Sequence, residues 1–262
     1  MVNLAYDDRG HGDPVLFIAG HGVVGRTWQV HQVPAFLDVG YRVVTFDNRG
    51  VGATQDASGF TTATMVADTA ELIDELDLAP VRVVATSMGS YIAQELMLAR
   101  PGLVRQAALM ATRARHDSAR AFFHEAEREF ADAGIQLPAS YDAKLRLIEG
   151  FSRKTLNDDA AVADWIDVFT MWPTTWTPGS RAQFDIAPQS DRRPAYKAIA
   201  TPVLVIGFAD DIAVPPHLGA EVAQVLPNGR YVEIADAGHH GFLERPDAVN
   251  SAILKFFSSG SE

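Results

Sequence analysis

The stretch Val83-Val84-Ala85-Thr86-Ser87-Met88-Gly89 is a β-branched run that ends in a small-x-Ser-x-Gly turn and passes straight into a helical pattern. It reads as a buried strand, a turn of minimal length and a helix. So tight a turn needs small residues two places before and two after the serine, because larger side chains there collide with the neighbouring strand and helix. Ala85 and Gly89 meet that need. The Ser87 hydroxyl then stands at the carboxyl edge of a sheet, where open α/β folds bind ligands, and the Met88 amide points to where an oxyanion develops. A serine that follows a strand is also a common helix cap, so the spacing alone fits a structural reading as well.

Outward from this turn, short β-branched runs alternate with amphipathic stretches. Val15 to Ile18, Arg42 to Phe46, Val81 to Val84 and Ala107 to Met110 read as strands buried on both faces. From Thr61 to Asp77, residues Met65, Thr69, Leu72, Ile73 and Leu76 share one helical face, with Thr61 or Thr62 as cap. A second helix runs from Ser87 to Arg100 and stops at Pro101-Gly102. Strand, helix, strand implies a parallel sheet. The alternation then lapses: between Ala111 and Pro194 no strand-like run occurs, while Phe122, Phe123, Ala126 and Phe130, and later Val162, Trp165, Ile166, Phe169 and Trp172, keep helical spacing. It resumes with Val203 to Ile206, a helix near Leu218 to Leu226, Tyr231 to Ile234 and a last helix from Ala248 to Phe257. The reading is an α/β core over 1–111 and 195–262 that carries a helical cap over 112–194.

Composition narrows the function classes. The chain has 262 residues, 47% hydrophobic and 21% charged, which is enough globular sequence for a continuous core and a lid. No cysteine is present, so disulfides, thiolate metal sites and a cysteine nucleophile are excluded. The 22 Lys+Arg against 33 Asp+Glu leave a net charge of -11, which repels nucleic-acid phosphates and anionic lipid. No apolar run reaches the roughly 18 residues of a membrane span. The acidic, interrupted N-terminus lacks the pattern of a secretory signal, and a cytoplasmic location is expected. The expected partner is a small molecule, not nucleic acid or membrane; the oligomeric state stays open.

A serine hydroxyl needs a base, and the base an orienting acid. Asp210-Asp211 follow the Val203 run, and His239-His240 follow the Tyr231 run, both at strand ends. Other motifs fall away. Gly50-Val51-Gly52 lacks the third glycine and the acid of a dinucleotide fingerprint, and His124-Glu125 fails as a zinc motif because residue 128 is Arg. No metal or organic cofactor is implied.

With Ser, Asp and His in that order, the sequence resembles the α/β-hydrolase-fold enzymes, and among them the cofactor-free (non-haem) bromoperoxidase-like hydrolases. The resemblance spans essentially the whole chain, including His31 to Leu37, Asp47-Asn48-Arg49-Gly50, Lys154 to Asp159 and Pro227 to Tyr231. It implies a mostly parallel, eight-stranded-type sheet flanked by helices, with Ser87 as nucleophile and His239 as general base. It also implies Asp211 as the acid in preference to Asp210, because the family's acid usually stands four residues before a proline, here Pro215. The second oxyanion amide falls on His21, whose imidazole either borders the site or is a polar loop residue. His240 is a site neighbour or a surface residue. Two positions depart from the family pattern, Ala85 for the usual glycine and Ser90 where a second glycine often follows. A serine at position 87 argues against the resembling haloalkane dehalogenases and epoxide hydrolases, which carry Asp there.

Trp28, Phe122, Trp165, Trp172 and His240 are the candidate pocket residues, although most large apolar residues of the cap are expected in its core. Arg113, Arg115 and Arg120 are expected on a solvated face; the same group could hold a substrate carboxylate or the phosphates of an acyl carrier. The expected activity is serine hydrolysis of a small or medium ester, thioester (an acyl-carrier or coenzyme A ester) or lactone, with a perhydrolase or haloperoxidase side activity. A triad-based lyase, favoured if Arg113, Arg115 or Arg49 faces the pocket, and a non-catalytic binding protein are the alternatives.

Overall fold

The β-branched runs assemble into one sheet in the computed structural model, which describes residues 3–56, 58–188 and 190–259. Its strands are β1 (Tyr6–Arg9), β2 (Pro14–Ile18), β3 (Arg42–Phe46), β4 (Val81–Thr86), β5 (Val104–Met110), β6 (Val203–Phe208) and β7 (Gly229–Ile234). Their spatial order is β1-β3-β2-β4-β5-β6-β7, with β1 antiparallel to β3 and every other pair parallel. The described residues thus form seven strands where the resemblance implied eight, because the antiparallel edge holds the single strand β1. That strand, Tyr-Asp-Asp-Arg, is largely exposed and lacks any apolar run. Strands β2, β4 and β6 are buried almost throughout, as parallel strands covered on both faces must be.

Two helical layers cover the sheet. On one face α1 (Gln32–Asp38) lies with the 3-10 turn Gly25–Gln29 and, from the far end of the chain, the helix Pro246–Ser258. On the other lie α2 (Thr62–Glu75) and α3 (Met88–Ala99). The Thr61 hydroxyl accepts from the Thr64 amide to start α2, which buries Met65, Thr69, Leu72 and Ile73.

Between β5 and β6 come α4 (Ser118–Asp132), α5 (Ala139–Gly150), α6 (Arg153–Leu156), α7 (Asp159–Met171), α8 (Pro178–Ala182) and α9 (Arg193–Tyr196). After β6 and β7 follow α10 (Pro216–Val225), α11 (Gly241–Glu244) and α12, the helix Pro246–Ser258. Helices α5 and α7 have a small core of their own, Ala143, Leu147, Phe151 and Phe169, with Trp165 against it. The other large apolar residues of this region do not follow the expectation that most are core. Phe122, Phe123, Met171 and Trp172 are exposed, Phe122 to 70% and Trp172 to 62%. Helix α4 turns Arg120 and Ala131 inward, and at 100° per residue Phe122 then faces away from the body.

Candidate active site

Ser87 has φ 53° and ψ −121°, a strained conformation for a residue with a side chain. Its amide donates to the Met110 carbonyl of the neighbouring strand at 3.0 Å. A Cβ on Gly89 would lie 2.4 Å from the Ile18 carbonyl oxygen, so the helix can leave the turn this close to β2 only without a side chain there. Ala85 fits the first small position, wholly buried between Ile18 and Leu109. Ser90 is accommodated because its buried hydroxyl donates to Met110 O at 2.9 Å.

The Ser87 hydroxyl makes no capping bond to α3; it faces His239 Nε2 at 3.2 Å. His239 leaves the turn after β7, and its Nδ1 lies 2.9 Å from Asp211 Oδ2. Facing a carboxylate, Nδ1 is the nitrogen that carries the proton, which leaves Nε2 to accept from the serine. Asp211 has no exposed side-chain surface, and its Oδ1 accepts from the Val214 amide at 2.7 Å. Asp210 takes no part in this chain of bonds; its amide donates to Ala237 O. The loop before His239 is braced from the inserted helices. Glu244 accepts from the Gly238 amide at 2.5 Å and from the amide and hydroxyl of Ser152 at 2.9 and 2.8 Å, while the His240 amide donates to Gly150 O at 2.9 Å.

The loop after β2 passes over the serine. A Cβ on Gly20 would stand 3.3 Å from that of Ser87. The N–H groups of His21 and Met88, on either side of Ser87, donate to no protein acceptor among the described residues. The His21 ring is held in place, donating Nε2–H to Ser180 O at 2.7 Å and packing 4.5 Å from Phe184, and burial lowers its pKa.

These groups floor a cavity of about 250 Å³. Of the candidate pocket residues only His240 lines it; burial first, then His239 and Arg146, lower its pKa to about 3, so the ring is neutral. Trp28 is buried beneath the sheet, 5.3 Å from Phe17 and 4.8 Å from Phe242, and Trp165 packs on Phe151 at 4.8 Å. Phe122 and Trp172 point to solvent. Helical spacing marks a residue as inward or outward, but not which of two enclosed spaces it enters. The apolar lining comes instead from helix starts, short turns and loops, with Met88, Phe184, Ile186, Val214 and Phe242 among its residues.

The arginines are also placed differently from the expected solvated face. Arg113 and Arg120 line the cavity, as does Arg146, which the sequence did not single out. Arg115 pairs with Glu221 and Arg49 with Asp68, both away from it. Burial lowers the Arg113 pKa to about 10, helped by Arg120, which leaves it cationic at neutral pH. The missed signal was position: Arg113 follows β5 by three residues, and β5 adjoins the strand that delivers Ser87. Among the described residues no three His, Cys, Asp or Glu side chains are grouped to hold a metal. No helix there is long and apolar enough to cross a membrane.

A doubly covered parallel sheet, a strained serine at the end of its central strand and an acid and a histidine at the ends of β6 and β7 define a hydrolase-type enzyme. Residues 13–246 match the α/β hydrolase fold family, to which the chain belongs. It is 67% identical over 259 residues, 99% of each chain, to BpoC of Mycobacterium tuberculosis H37Rv, which carries the name of a non-heme bromoperoxidase. The crystal structure of that protein superposes with a TM-score of 0.96 over 99% of this chain and 97% of the other. A protein of Synechocystis sp. that bears a non-heme chloroperoxidase name is 28% identical, covering 97% of this chain and 95% of its own.

Proposed function

We propose that the protein is a serine hydrolase that cleaves a small ester, thioester or lactone through an acyl-enzyme. The observation that carries this reading is the continuous bond chain from Asp211 through His239 to Ser87, ending beside two unpaired amides. His239 Nε2 takes the Ser87 proton as Oγ attacks the carbonyl carbon, and Asp211 stabilises the imidazolium that results. The amides of Met88 and His21 hold the tetrahedral oxyanion; His239 then gives its proton to the leaving group. Water, activated by the same imidazole, releases the acid and restores Ser87. Hydrogen peroxide in place of water would yield a peracid, which can oxidise halide in solution, so a haloperoxidase side activity needs only this triad. The cavity, smaller than the roughly 300–1,000 Å³ of pockets for drug-sized ligands, suits a short acyl chain.

One observation favours a second reading. Arg113 in the cavity is what a triad-driven elimination or carbon–carbon cleavage of a polycarboxylate needs, with His239 and Ser87 as the proton-abstracting pair.

Labelling with a fluorophosphonate and mass mapping of the adduct tests the first reading. The adduct is expected on Ser87 and absent from Ser87→Ala and His239→Ala. No adduct in folded wild-type protein would overturn covalent serine chemistry.

A further inference from the structure

We propose that Arg113 recognises a carboxylate on the substrate, so that the natural ester is a small anionic one. Three guanidinium groups line the cavity, and two of them are occupied. Arg120 pairs with Glu127 at 2.6 Å and donates to Ala213 O at 3.3 Å. Arg146 donates to Trp172 O at 2.8 Å, lies 3.6 Å from Asp142 and stacks 3.8 Å above the Phe169 ring. Arg113 makes no side-chain hydrogen bond and has no carboxylate within 4.0 Å among the described residues; its Nε, like that of Arg120, is sealed from solvent without a partner, but unlike Arg120 it has no partner at its Nη groups either. Glu127 and Asp211, the acids that reach it electrostatically, are already engaged by Arg120 and His239. Glu149, the other carboxylate of the lining, is exposed.

Arg113 is half-buried, with Nε sealed and no protein partner for its charge, an arrangement that the negative charge of a ligand in the cavity would satisfy. A guanidinium offers a planar fork of donors that matches a carboxylate in two parallel bonds. Arg113 shares its cavity with Ser87 and His239, so the anion it holds and the scissile carbonyl belong to one molecule. The small volume keeps the two groups a few bonds apart and points to a monoester of a short dicarboxylic acid, or to an ester whose alcohol part bears the acid.

The proposal uses the serine-hydrolase reading for its kinetic test only. Mono-p-nitrophenyl glutarate is compared with p-nitrophenyl pentanoate, and 4-(butanoyloxy)benzoate with phenyl butanoate, which places the carboxylate on the acyl or the leaving side. In wild type, kcat/KM is expected to favour the anionic member of one pair at least 10-fold. In Arg113→Met that ratio falls by about 10- to 100-fold, mainly through KM, and Arg113→Lys restores part of it. The Tm of Arg113→Met is expected to equal or exceed that of wild type, because an unpaired charge has been removed; a purely structural arginine would lower it. Equal rates within both pairs, or an Arg113→Met ratio equal to wild type, overturns the proposal.

A second arm needs no turnover. Calorimetric titration of Ser87→Ala with methyl hydrogen glutarate is expected to saturate, and to weaken at least 10-fold in Ser87→Ala/Arg113→Met. Binding no tighter than that of methyl pentanoate overturns the anion site, whatever the labelling of Ser87 shows.

Discussion

Glu244→Ala is expected to destabilise the protein and slow it at once, because one carboxylate joins the loop that bears His239 to the helices above it. Its oxygens accept three bonds, one from the Gly238 amide and two from Ser152. Hydrogen bonds to a charged acceptor are worth about 1.5–3 kcal/mol each, so simple addition sets a ceiling near 5–9 kcal/mol. Two features lower it. The Ser152 hydroxyl can turn to Thr155 Oγ1, already 3.4 Å away, and Glu244 is itself only partly buried, so water enters some of the vacated space. What remains is two buried backbone donors, Gly238 N–H and Ser152 N–H, which together cost about 3–5 kcal/mol when left unpaired. With an m value of about 2–3 kcal/mol/M the urea midpoint falls by roughly 1–2.5 M. Gly238 precedes His239 directly, so the imidazole loses its fixed approach to Ser87; misplacement on the 1 Å scale costs about 100-fold in kcat. Glu244→Gln keeps an oxygen for Ser152 but turns an amide toward Gly238, and is expected to lose about half as much stability. Urea unfolding of the three proteins, with kcat on a p-nitrophenyl ester, checks this. A loss below about 1 kcal/mol in Glu244→Ala, or a glutamine variant as impaired as the alanine, refutes the reasoning.

Two further outcomes are expected. Gly89→Ala places a Cβ 2.4 and 2.7 Å from the Ile18 and Ala19 carbonyl oxygens, which cannot move without parting β2 from α3; thermal unfolding is expected to show a loss of about 3 kcal/mol, and a loss under 1 kcal/mol would be contrary to the close approach. His240, neutral in the fold down to about pH 3, gains a proton in the unfolded chain near pH 6.5. The unfolded state therefore binds more protons between these values, and this contribution is complete above pH 6.5 and is lost as pH falls toward 3, by up to about 1.4 kcal/mol per unit. His240→Asn is expected to flatten the slope of stability against pH between 4 and 6 by about 1 kcal/mol per unit; equal slopes would show that His240 titrates normally in the fold.

Most strands read from sequence are buried on both faces and so form apolar runs, while β7 was read from Tyr231 to Ile234 although only Ile234 of it is buried. The edge strand Tyr6–Arg9 escaped notice since its Tyr-Asp-Asp-Arg is mostly exposed and held by backbone bonds to β3. Around the site, the turn at Ser87 was legible because its steric demand falls on residues one or two places away. The cavity was not. Arginines in a charged segment read as solvated, and only the end of β5 reveals that Arg113 points inward. The bracing role of Glu244 was not legible, since its partners Gly238 and Ser152 are recruited by packing between α11 and the start of α6.

Residue type over short windows determined the parallel α/β core, the strained serine between strand and helix, and the acid and histidine that stand at two later strand ends. Backbone sterics and burial act within a few positions, so their marks survive in the linear order. Contacts across long separations decided the rest: that His239, 152 residues from Ser87 in the chain, comes within 3.2 Å of it, and that an unpaired arginine shares their cavity. Such choices depend on how whole elements pack and on which charge finds a partner, and no local pattern encodes either.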